Sequence, residues 1–425
     1  MIASAPSLPL QRALEGAAGG SRLDPSDALR LLEEAPFLAL AGAADTRRRS
    51  VTTPGVVTYQ IDRNINYTNV CVTDCGFCAF YRHRGHPEAY TQSVEDILER
   101  CREAVELRAT SVLLQGGHNP WLPLTYYETL FRAIKDRFPT LHVHALSPTE
   151  IHFIATRVED LPVADVIARL KAAGLDSMPG GGAEILVDRV RDAISPKKTR
   201  SHEWIETARA VHRAGLPSTA TMMMGHAETL AERVEHLRVL REAQDADPGF
   251  LSFIAWTYQP DHTDLGGRRT SGVDYLRTMA VARLMLDNIA HLQASWLTVG
   301  LQLGQVALAC GVDDLGSVML EENVVTLAGA RHASNEEELI RVIDDAGLVP
   351  VRRDTYYVEV ERPELSELPA RRLERRRAGR IAGPGIDGST PVQAAGTSGV
   401  VPAGEVPSGR LRRAAGGAAP ATGQG

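Results

Sequence analysis

Two patterns of hydrophobic and polar positions alternate along the chain from about residue 56 onward. Short runs rich in β-branched and aromatic residues predict strands, and each is followed by a longer stretch with apolar residues at helical spacing. The predicted strands cover 56–67, 111–115, 141–145, 175–178, 218–224, 250–256, 294–298 and 315–319. The predicted helices cover 93–108, 126–138, 163–173, 201–214, 229–244, 273–289 and 302–309. Strands and helices in this order favour an α/β fold with parallel strands, and about eight repeats favour a (β/α)8 barrel of the TIM type.

The two ends of the chain depart from this repeat. Residues 1–54 predict a loose leader, up to residue 20, and a short helix that begins near Asp24 and could close the bottom of the barrel. The barrel is predicted over 55–330, and a C-terminal α/β extension over 331–370, in which a helix (337–346) precedes a β-rich piece that begins at Asp354 and ends at Glu361. Residues 371–425 are rich in Arg, Gly, Ala, Pro and Ser, so they predict a disordered low-complexity tail.

Composition and charge narrow the class of protein. Hydrophobic residues make up 44% of 425 residues, which is ordinary for a globular protein. The net charge of −7 argues against a surface that binds nucleic acid. The apolar run 37–44 is too short to span a bilayer, and the N-terminus lacks the pattern of a signal peptide. We therefore expect a cytoplasmic protein that acts on a small molecule, with no nucleic-acid or membrane partner.

The densest chemistry lies in the stretch N-V-C-V-T-D-C-G-F-C-A-F, residues 69–80. Its three thiols, Cys71, Cys75 and Cys78, have the spacing C-x3-C-x2-C. Thiolates are the ligands of iron–sulfur clusters, and a 4Fe–4S cube normally takes four. A cube held by three cysteines has one iron open to a small molecule.

Other roles for these cysteines fit the sequence less well than an iron–sulfur cluster does. A zinc site would need a fourth ligand close by, which His83 or His86 could supply. A small electron-transfer protein would carry a fourth local cysteine and would need no barrel. Cys101 and Cys310 are predicted to be buried core thiols, and Cys101 is only a weak candidate for a fourth ligand. A disulfide framework is disfavoured because the chain has only 5 cysteines in 425 residues.

Glycine-rich and polar turns follow several predicted strands, where a parallel barrel places its active site. The paired glycines 116 and 117, and the run 180–182, indicate a backbone that lies close to a ligand. The GxxxxGK pattern of a nucleotide P-loop does not occur in these turns. The candidate site residues in these turns are Gly116, Gly117, His118, His144, Glu150, Gly181, Glu184, Gly225, Glu228 and Gln259.

The thiol spacing, with an aromatic residue between the last two cysteines, resembles the signature of the radical S-adenosylmethionine (SAM) enzymes. Five stretches indicate a narrower class within these enzymes, because they resemble the futalosine-cyclising enzymes of menaquinone biosynthesis. The resemblance covers residues from about 55 to about 360. The five stretches are 64–75, 86–90, 113–120, 176–186 and 316–325. Aminofutalosine synthases and deazaflavin-forming radical SAM enzymes share the cysteine loop and remain as alternatives.

The resemblance implies a radical SAM barrel with a 4Fe–4S cluster on the three cysteines and SAM on the open iron. Gly116 and Gly117 would then bind the amine of SAM, and the turn with Gly225 and Glu228 would hold its adenosine. The acidic residue that usually follows the paired glycines is absent, and His118 stands in its position.

The resemblance further implies an oxidoreductase that needs a one-electron donor such as flavodoxin or ferredoxin. A 5′-deoxyadenosyl radical would remove hydrogen from ribose C4′ of dehypoxanthine futalosine, and the carbon radical would add to the benzoate ring. Restoring the aromatic ring releases a proton, so a base is required. The candidates for this base are His118, His144, Glu150 and Glu184, and those for substrate contacts are Gln259, Gly181, Arg82 and Arg189, an arginine being expected for the substrate carboxylate.

Overall fold

The computed structural model describes residues 7–363, and the predicted tail over 371–425 lies outside the described residues. The strands are β1 (Val56–Gln60), β2 (Asp62–Asn66), β3 (Ser111–Gln115), β4 (His142–Ala145), β5 (Ser218–Met224), β6 (Phe250–Thr257), β7 (His291–Ala294), β8 (Asp314–Ser317), β9 (Val349–Arg353) and β10 (Glu359–Glu361). The helices are α1 (Leu8–Ala18), α2 (Pro25–Glu34), α3 (Phe37–Val51), α4 (Val94–Glu106), α5 (Leu124–Arg137), α6 (Pro148–Phe153), α7 (Val163–Ala173), α8 (Asp188–Ile194), α9 (Ser201–Arg213), α10 (Leu230–Ala246), α11 (Gly272–Met285), α12 (Trp296–Val299), α13 (Leu301–Ala307), α14 (Val324–Leu327) and α15 (Glu336–Asp345).

Parallel pairing closes the strands into a ring. β1 and β2 are two halves of one bent strand, because β1 pairs with β8 while β2 pairs with β3. The ring continues from β3 to β4 and from β5 through β6 and β7 to β8. Between β4 and β5 it is completed by two single bridges, His144 to Ser177 and Met178 to Ser218. The predicted barrel is thus confirmed, although its fourth strand is reduced to these two bridges.

The helices between the strands bury an apolar stripe against the ring, as the sequence pattern predicts. In α4 the Ser93 side chain accepts from the backbone N–H of Asp96 and the Asp96 side chain caps the backbone of Ser93 in return, which fixes the start of the helix. The buried face of α4 includes Cys101. Cys101 and Cys310 both lie in the hydrophobic core, as predicted.

The N-terminal segment differs from the prediction of a loose leader. Its first described part is helix α1, which buries Leu10, Leu14 and Ala17 because they recur at helical spacing on one face. Helix α3 packs against α11, and α2 packs against α10, on the outside of the ring. These helices therefore do not close the bottom of the barrel.

The bottom is closed by the C-terminal extension instead. Strand β9 pairs in parallel with β1, on the side of β1 that faces away from β8. Strand β10 then returns antiparallel to β9. The β-rich piece therefore begins at Val349, earlier than the predicted Asp354. This arrangement brings Arg353, Thr355 and Tyr357 into the wall of the barrel cavity.

The predicted strand 294–298 is wrong in position. The seventh strand is His291–Ala294, and Trp296–Val299 forms the short helix α12, which ends at Gly300 with a φ of 86°. An apolar run this short fits a buried strand or a buried helical turn equally well, so its periodicity could not separate the two.

Candidate active site

A cavity of about 400 Å³ extends from the loops at the C-terminal ends of the strands down into the lumen of the barrel. All three clustered cysteines line it, together with Gly116, Gly117, His118, His144, Glu150, Gly181, Glu184 and Gln259 from the predicted site. The fold therefore gathers most of the candidate residues, which the sequence separates by almost 200 positions, around one space.

The cysteine loop places its sulfur atoms beside small polar donors. The Thr73 hydroxyl lies 2.9 Å from Sγ of Cys71 and 3.6 Å from Sγ of Cys75. The backbone N–H of His118 donates to Sγ of Cys71 at 3.3 Å. Hydrogen bonds to cluster sulfurs are one of the means by which a protein adjusts the reduction potential of an iron–sulfur centre. The loop therefore has the donor chemistry that a cluster site requires.

The three thiols all lie in the cavity wall, and the Thr73 hydroxyl lies beside the first two of them. Within residues 7–363, no group of three or more His, Cys, Asp or Glu side chains is arranged to hold a single metal ion. Cys101 and Cys310 are not in the cavity lining. An iron–sulfur cluster in this cavity would therefore be held by three thiols, and its fourth iron would be left for another ligand.

Burial disfavours the thiolate form of these cysteines in the absence of a metal. It raises the pKa of Cys75 to about 11, although the nearby Lys198 ammonium acts in the opposite direction. Burial also raises the pKa of Cys78, while the backbone N–H groups of Phe80 and Tyr81 lower it. Metal binding must release these protons, which couples loading of the loop to pH.

Arg82 supports the cysteine loop from outside the cavity. Its guanidinium donates to the carbonyl groups of Ala79, Phe80 and Tyr81 and pairs with Glu88 at 2.7 Å. The other predicted arginine, Arg189, is 57% exposed and forms an ion pair with Glu232. Neither arginine is in the cavity lining, so the structure does not bring them to the site as the sequence suggested.

The paired glycines allow the loop after β3 to pack directly on the cysteine loop. A Cβ at Gly117 would lie 2.3 Å from the Val70 carbonyl oxygen and 2.8 Å from Cβ of Cys71. A Cβ at Gly116 would lie 2.6 Å from the ring of Tyr67. The sequence predicted a close approach to a ligand; the close approach in the structure is to the cysteine loop itself.

The glycine run 180–182 has the same explanation. A Cβ at Gly180 would meet the Thr219 carbonyl oxygen at 2.4 Å, and one at Gly181 would meet the Gln115 amide at 2.4 Å. Gly182 has a φ of 77°, which L-residues with side chains rarely adopt. Gly181 and Gly182 nevertheless line the cavity with their backbone.

Glu150 is buried with both carboxylate oxygens already engaged. The Tyr67 hydroxyl and the Ser147 hydroxyl each donate to it at 2.6 Å, and the backbone N–H of Gly116 donates at 3.0 Å. Burial raises the pKa of Glu150, and these hydrogen bonds lower it in part. Its contacts are those of a residue that joins the paired glycines to helix α6.

His118 is buried, His144 is half-buried, and both are held as neutral rings. His118 stacks on Phe153 at 4.8 Å and lies 3.2 Å from the Thr149 hydroxyl. Nδ1 of His144 lies 2.6 Å from the Ser177 hydroxyl. Burial lowers the pKa of each histidine to about 3, because the charged imidazolium is poorly solvated there.

Lys198 is a cavity residue that the sequence reading missed. Its ammonium group pairs with Glu184 at 2.7 Å, and only 13% of the Lys198 side chain is exposed. The nearby Lys198 ammonium lowers the pKa of Glu184, and Glu184 in turn raises the pKa of Lys198 against the effect of burial. Glu184 itself has a φ of 41°, an unfavourable conformation that places functional side chains in many active sites. Nothing in the sequence S-P-K-K distinguishes this lysine from its exposed neighbour.

The turn with Gly225 and Glu228 lies beside the cavity and is not in its lining. Glu228 accepts from the backbone N–H groups of Gly225 and His226, at 2.6 and 2.9 Å, and from Arg233 at 2.8 Å. Every contact of this carboxylate is therefore within the protein, and it fixes the shape of the turn after β5.

The lower part of the cavity is a polar wall that the sequence did not indicate. Arg353 binds both oxygens of Asp314, at 2.5 and 2.9 Å, and donates to Gln60 at 2.8 Å. Asp62 accepts from Gln60 through Oδ2, while its Oδ1 is buried without a partner. Higher in the lining, after the end of β6, Oε1 of the predicted residue Gln259 is also buried without a partner. Unsatisfied acceptors in a cavity wall suit a ligand rich in hydroxyl or N–H donors.

Comparison with known families agrees with this fold and this loop. The sequence profile of the Radical SAM superfamily matches residues 65–240, and the CofH/MqnC C-terminal region matches residues 247–365. Methylornithine synthase is similar in structure, with a TM-score of 0.65 at 17% identity over 80% of this chain and 97% of that chain. A hydrogenase maturase from Carboxydothermus hydrogenoformans has a TM-score of 0.63 at 15% identity over 84% of this chain and 82% of that chain. The barrel and its cysteine loop are those of a radical SAM enzyme.

Curated relatives narrow the class further. The chain is 49% identical to the cyclic dehypoxanthine futalosine synthase of Streptomyces coelicolor, over 82% of this chain and 88% of that protein. It is 42% identical to the synthase of the same name from Halalkalibacterium halodurans, over 81% and 93%. A 5-amino-6-(D-ribitylamino)uracil–L-tyrosine 4-hydroxyphenyl transferase from Methanosarcina barkeri also reaches 42%, over 84% and 94%. The chain belongs to the CofH/MqnC family of radical SAM enzymes.

No helix among residues 7–363 has both the length and the apolar character needed to cross a bilayer.

Proposed function

We propose that this protein is a cyclic dehypoxanthine futalosine synthase, an oxidoreductase of menaquinone biosynthesis. The observation that carries this assignment is the 49% identity to the Streptomyces coelicolor synthase, which extends over 82% of this chain. The rival within the family is the tyrosine 4-hydroxyphenyl transferase, whose relative reaches 42%. Both reactions would use the same cysteine loop, so the two functions differ in the substrate that the rest of the cavity accepts.

Cys71, Cys75 and Cys78 would hold a 4Fe–4S cluster, with SAM as the ligand of its fourth iron. The bound cluster and SAM supply the carbon radical that removes the C4′ hydrogen of the substrate. The protein's share is to hold these groups and the substrate in one enclosed space and to exclude water. Three cysteines in the wall of one cavity, next to the backbone of Gly116 and Gly117, support this assignment.

Lys198 and Glu184 would orient a zwitterionic group near the cluster. The ammonium of Lys198 and the carboxylate of Glu184 pair with one another in the cavity wall, close enough to Cys75 for Lys198 to affect its pKa. An amino acid moiety such as that of SAM carries the complementary two charges. A carboxylate of the ligand would bind Lys198 and an ammonium group would bind Glu184.

The polar wall would bind the substrate. Gln259, with its unpartnered Oε1, is suited to accept from a hydroxyl group of the sugar. Gly181 would place its backbone against the substrate. Because Arg82 and Arg189 lie outside the lining and Arg353 lies within it, Arg353 is the cavity arginine that would face the benzoate carboxylate.

The test is a reaction with SAM, a one-electron donor such as flavodoxin or ferredoxin, and dehypoxanthine futalosine that carries deuterium at C4′. We expect deuterium in 5′-deoxyadenosine and a product that has lost two hydrogens in total. Incorporation of the adenosine skeleton into the product would indicate an aminofutalosine synthase-type reaction instead. Turnover of tyrosine and 5-amino-6-(D-ribitylamino)uracil, with no reaction of the futalosine substrate, would assign the transferase function.

A further inference from the structure

Three hydrogen-bonded side chains, the histidine–serine chain, lead from the cavity toward the bottom of the barrel. The Ser177 hydroxyl lies 2.6 Å from Nδ1 of His144 and 2.6 Å from Nε2 of His142. His144 lines the cavity, Ser177 is fully buried, and His142 lies outside the lining; both histidines are partly exposed. The cross-strand bridge between His144 and Ser177 fixes this geometry in the backbone.

The hydroxyl group between the two rings determines which nitrogen can act as a base. Ser177 has one hydrogen to donate, so it donates to one histidine and accepts an N–H from the other. If Ser177 donates to Nε2 of His142, Nδ1 of His144 carries the hydrogen and Nε2 of His144 has a free lone pair. No described residue hydrogen-bonds to Nε2 of His144.

Two of the other candidate bases of the cavity are already engaged, and the third is linked to one of them. Both oxygens of Glu150 accept hydrogen bonds, and Glu184 is paired with Lys198. His118 lies beside Thr149 and stacks on Phe153. The path behind His118 runs through Thr149 and Ser147 and ends at the buried Glu150. Among the four bases that the sequence suggested, His144 is thus the one with an unengaged nitrogen and a hydrogen-bonded path to a partly exposed group, His142.

We propose that His144 takes the proton that leaves the benzoate ring during cyclisation, and that Ser177 and His142 carry it away from the cavity. The inference rests on the proposed cyclase function. After C4′ has bonded to the ring, the ring radical gives one electron to a one-electron acceptor such as an oxidised iron–sulfur centre. The C–H bond of the ring carbon that has bonded to C4′ then breaks, its electron pair restores the aromatic ring, and the proton bonds to Nε2 of His144.

Proton transfer along the chain balances at each atom. His144 gives the hydrogen on Nδ1 to the Ser177 oxygen, and the Ser177 hydroxyl hydrogen passes to Nε2 of His142. Asp176 and Asp354 lie near His142 and favour its charged form, against burial and the nearby Lys135. His144 faces the cation Arg353 and His142 itself, which disfavour a lasting charge on it. The carboxylates near His142 and the cation near His144 therefore favour transfer toward His142, although burial lowers the pKa of His142 to about 4.

The low basicity of His144 is compatible with this role. Burial lowers its pKa to about 3, so the ring is neutral and ready to accept a proton at neutral pH. The ring intermediate that has lost an electron is a strong carbon acid, since losing its proton restores aromaticity. A weak base in the right position is sufficient for such a proton.

The experiment compares 5′-deoxyadenosine with cyclised product in the reconstituted enzyme. Hydrogen abstraction precedes proton loss, so wild type should form the two in a ratio near one. His144→Gln and Ser177→Ala should still form 5′-deoxyadenosine, while product formation falls by about 100-fold or more for His144→Gln, which is the usual size of a general-base effect. The ratio should therefore rise at least tenfold.

Two matched variants define the comparison. Ser177→Thr keeps the hydroxyl group and should restore a ratio near one. Ser218→Ala removes another buried serine, whose hydroxyl lies 2.7 Å from Nε2 of His212 and which is not in the cavity lining, so its ratio should stay near one. Melting temperature and iron content should be measured for each variant, so that loss of fold is separated from loss of proton transfer.

A second readout needs neither cofactor nor substrate. In the full chain, nitrogen NMR shifts of the imidazole groups report which ring nitrogen carries the hydrogen. Ser177→Ala should change the tautomer of His144, and Ser177→Thr should not.

The outcomes separate this inference from the function on which it rests. If wild type forms no 5′-deoxyadenosine from dehypoxanthine futalosine, the proposed function and the base assignment are both wrong. If wild type cyclises it and His144→Gln retains a ratio near one at the wild-type rate, the base assignment alone is overturned. A raised ratio in Asp62→Asn, with none in His144→Gln, would transfer the role to the unpartnered carboxylate of Asp62.

Discussion

The two ends of the cavity are built in different ways. At the upper end, the cysteine loop is held by backbone hydrogen bonds, both local, such as the N–H of Cys71 to the Arg82 carbonyl at 3.1 Å, and distant, such as the N–H of Gly76 to the Ile194 carbonyl at 2.9 Å. At the lower end, the polar wall is held by side chains from distant parts of the chain, since Arg353 binds Asp314, 39 positions away, and Gln60, 293 positions away. The upper end depends on small residues and backbone, and the lower end depends on charge pairs.

This difference predicts different sensitivities. Changes in the cysteine loop should affect cofactor binding first, because the loop supplies ligands and little of the core. Changes in the polar wall should affect stability first, because breaking a buried pair leaves an uncompensated charge. Each of the following variants tests one side of this contrast.

The largest effect is expected for Cys78→Ala. Three thiols are the protein ligands of the proposed cluster, so removal of one should abolish turnover and reduce iron well below the four atoms of a complete cube. Iron and sulfide analysis after anaerobic reconstitution measures this. Cys101→Ala is the control and should keep its iron, because Cys101 is buried in the core of α4. Full iron and turnover in Cys78→Ala would disprove the ligand assignment.

Arg353→Met should lower the free energy of unfolding by roughly 3–5 kcal/mol, because it leaves Asp314 buried without its cation. Urea denaturation of the protein measures this. The double variant with Asp314→Asn removes the unpaired charge and should recover part of the loss. A loss below about 1 kcal/mol in Arg353→Met would mean that the pair is screened as a surface pair is.

Asp62 should make stability decline as the pH rises from about 4 to about 6. Burial raises the pKa of its carboxyl group from 3.8 to about 6 in the folded protein, while Arg353, Gln60 and Ser317 oppose the change. The folded state then binds more protons than the unfolded state, so stability falls with pH in this window, by at most ~3 kcal/mol.

Asp62→Asn should remove this contribution. Unfolding free energies of wild type and variant, compared between pH 4 and pH 7, give the difference that belongs to Asp62. The unfolding free energy of the variant, relative to that of wild type, should increase as the pH rises through the window. This increase should level off above about pH 6. Parallel curves for the two proteins would show that Asp62 ionises in the folded protein as it does in water.

Gly117→Ala should have the smallest effect on stability, about 1–3 kcal/mol, as overpacking usually does. Its Cβ would lie 2.3 Å from the Val70 carbonyl oxygen, so the cysteine loop must shift and iron binding should weaken. Gly42→Ala in helix α3 is the matched control, because nothing lies within 4 Å of its Cβ position. The control should be neutral or slightly stabilising. Equal effects of the two substitutions on iron content would refute the packing explanation.

The sequence by itself determined the features that depend on residues close to one another along the chain. The spacing of Cys71, Cys75 and Cys78 identified the cysteine loop because these ligands lie within one loop. Strand and helix periodicity predicted the barrel, and most of the candidates chosen from the turns after strands do line the cavity. The leader was mistaken for a loose segment because α1 buries only Leu10, Leu14 and Ala17.

Tertiary structure alone decided which of the polar residues face the cavity. Arg189 and Arg353 look alike in the sequence, yet Arg189 pairs with Glu232 on the surface and Arg353 enters the lumen on β9. Lys197 is exposed, while its neighbour Lys198 is buried beside Glu184. The charge of a side chain is a local property, but its burial and its partner depend on other segments, which lie 43 positions away for Arg189 and 39 for Arg353. For this reason the sequence determined the cysteine loop and the barrel, and only the fold determined the polar wall and the histidine–serine chain.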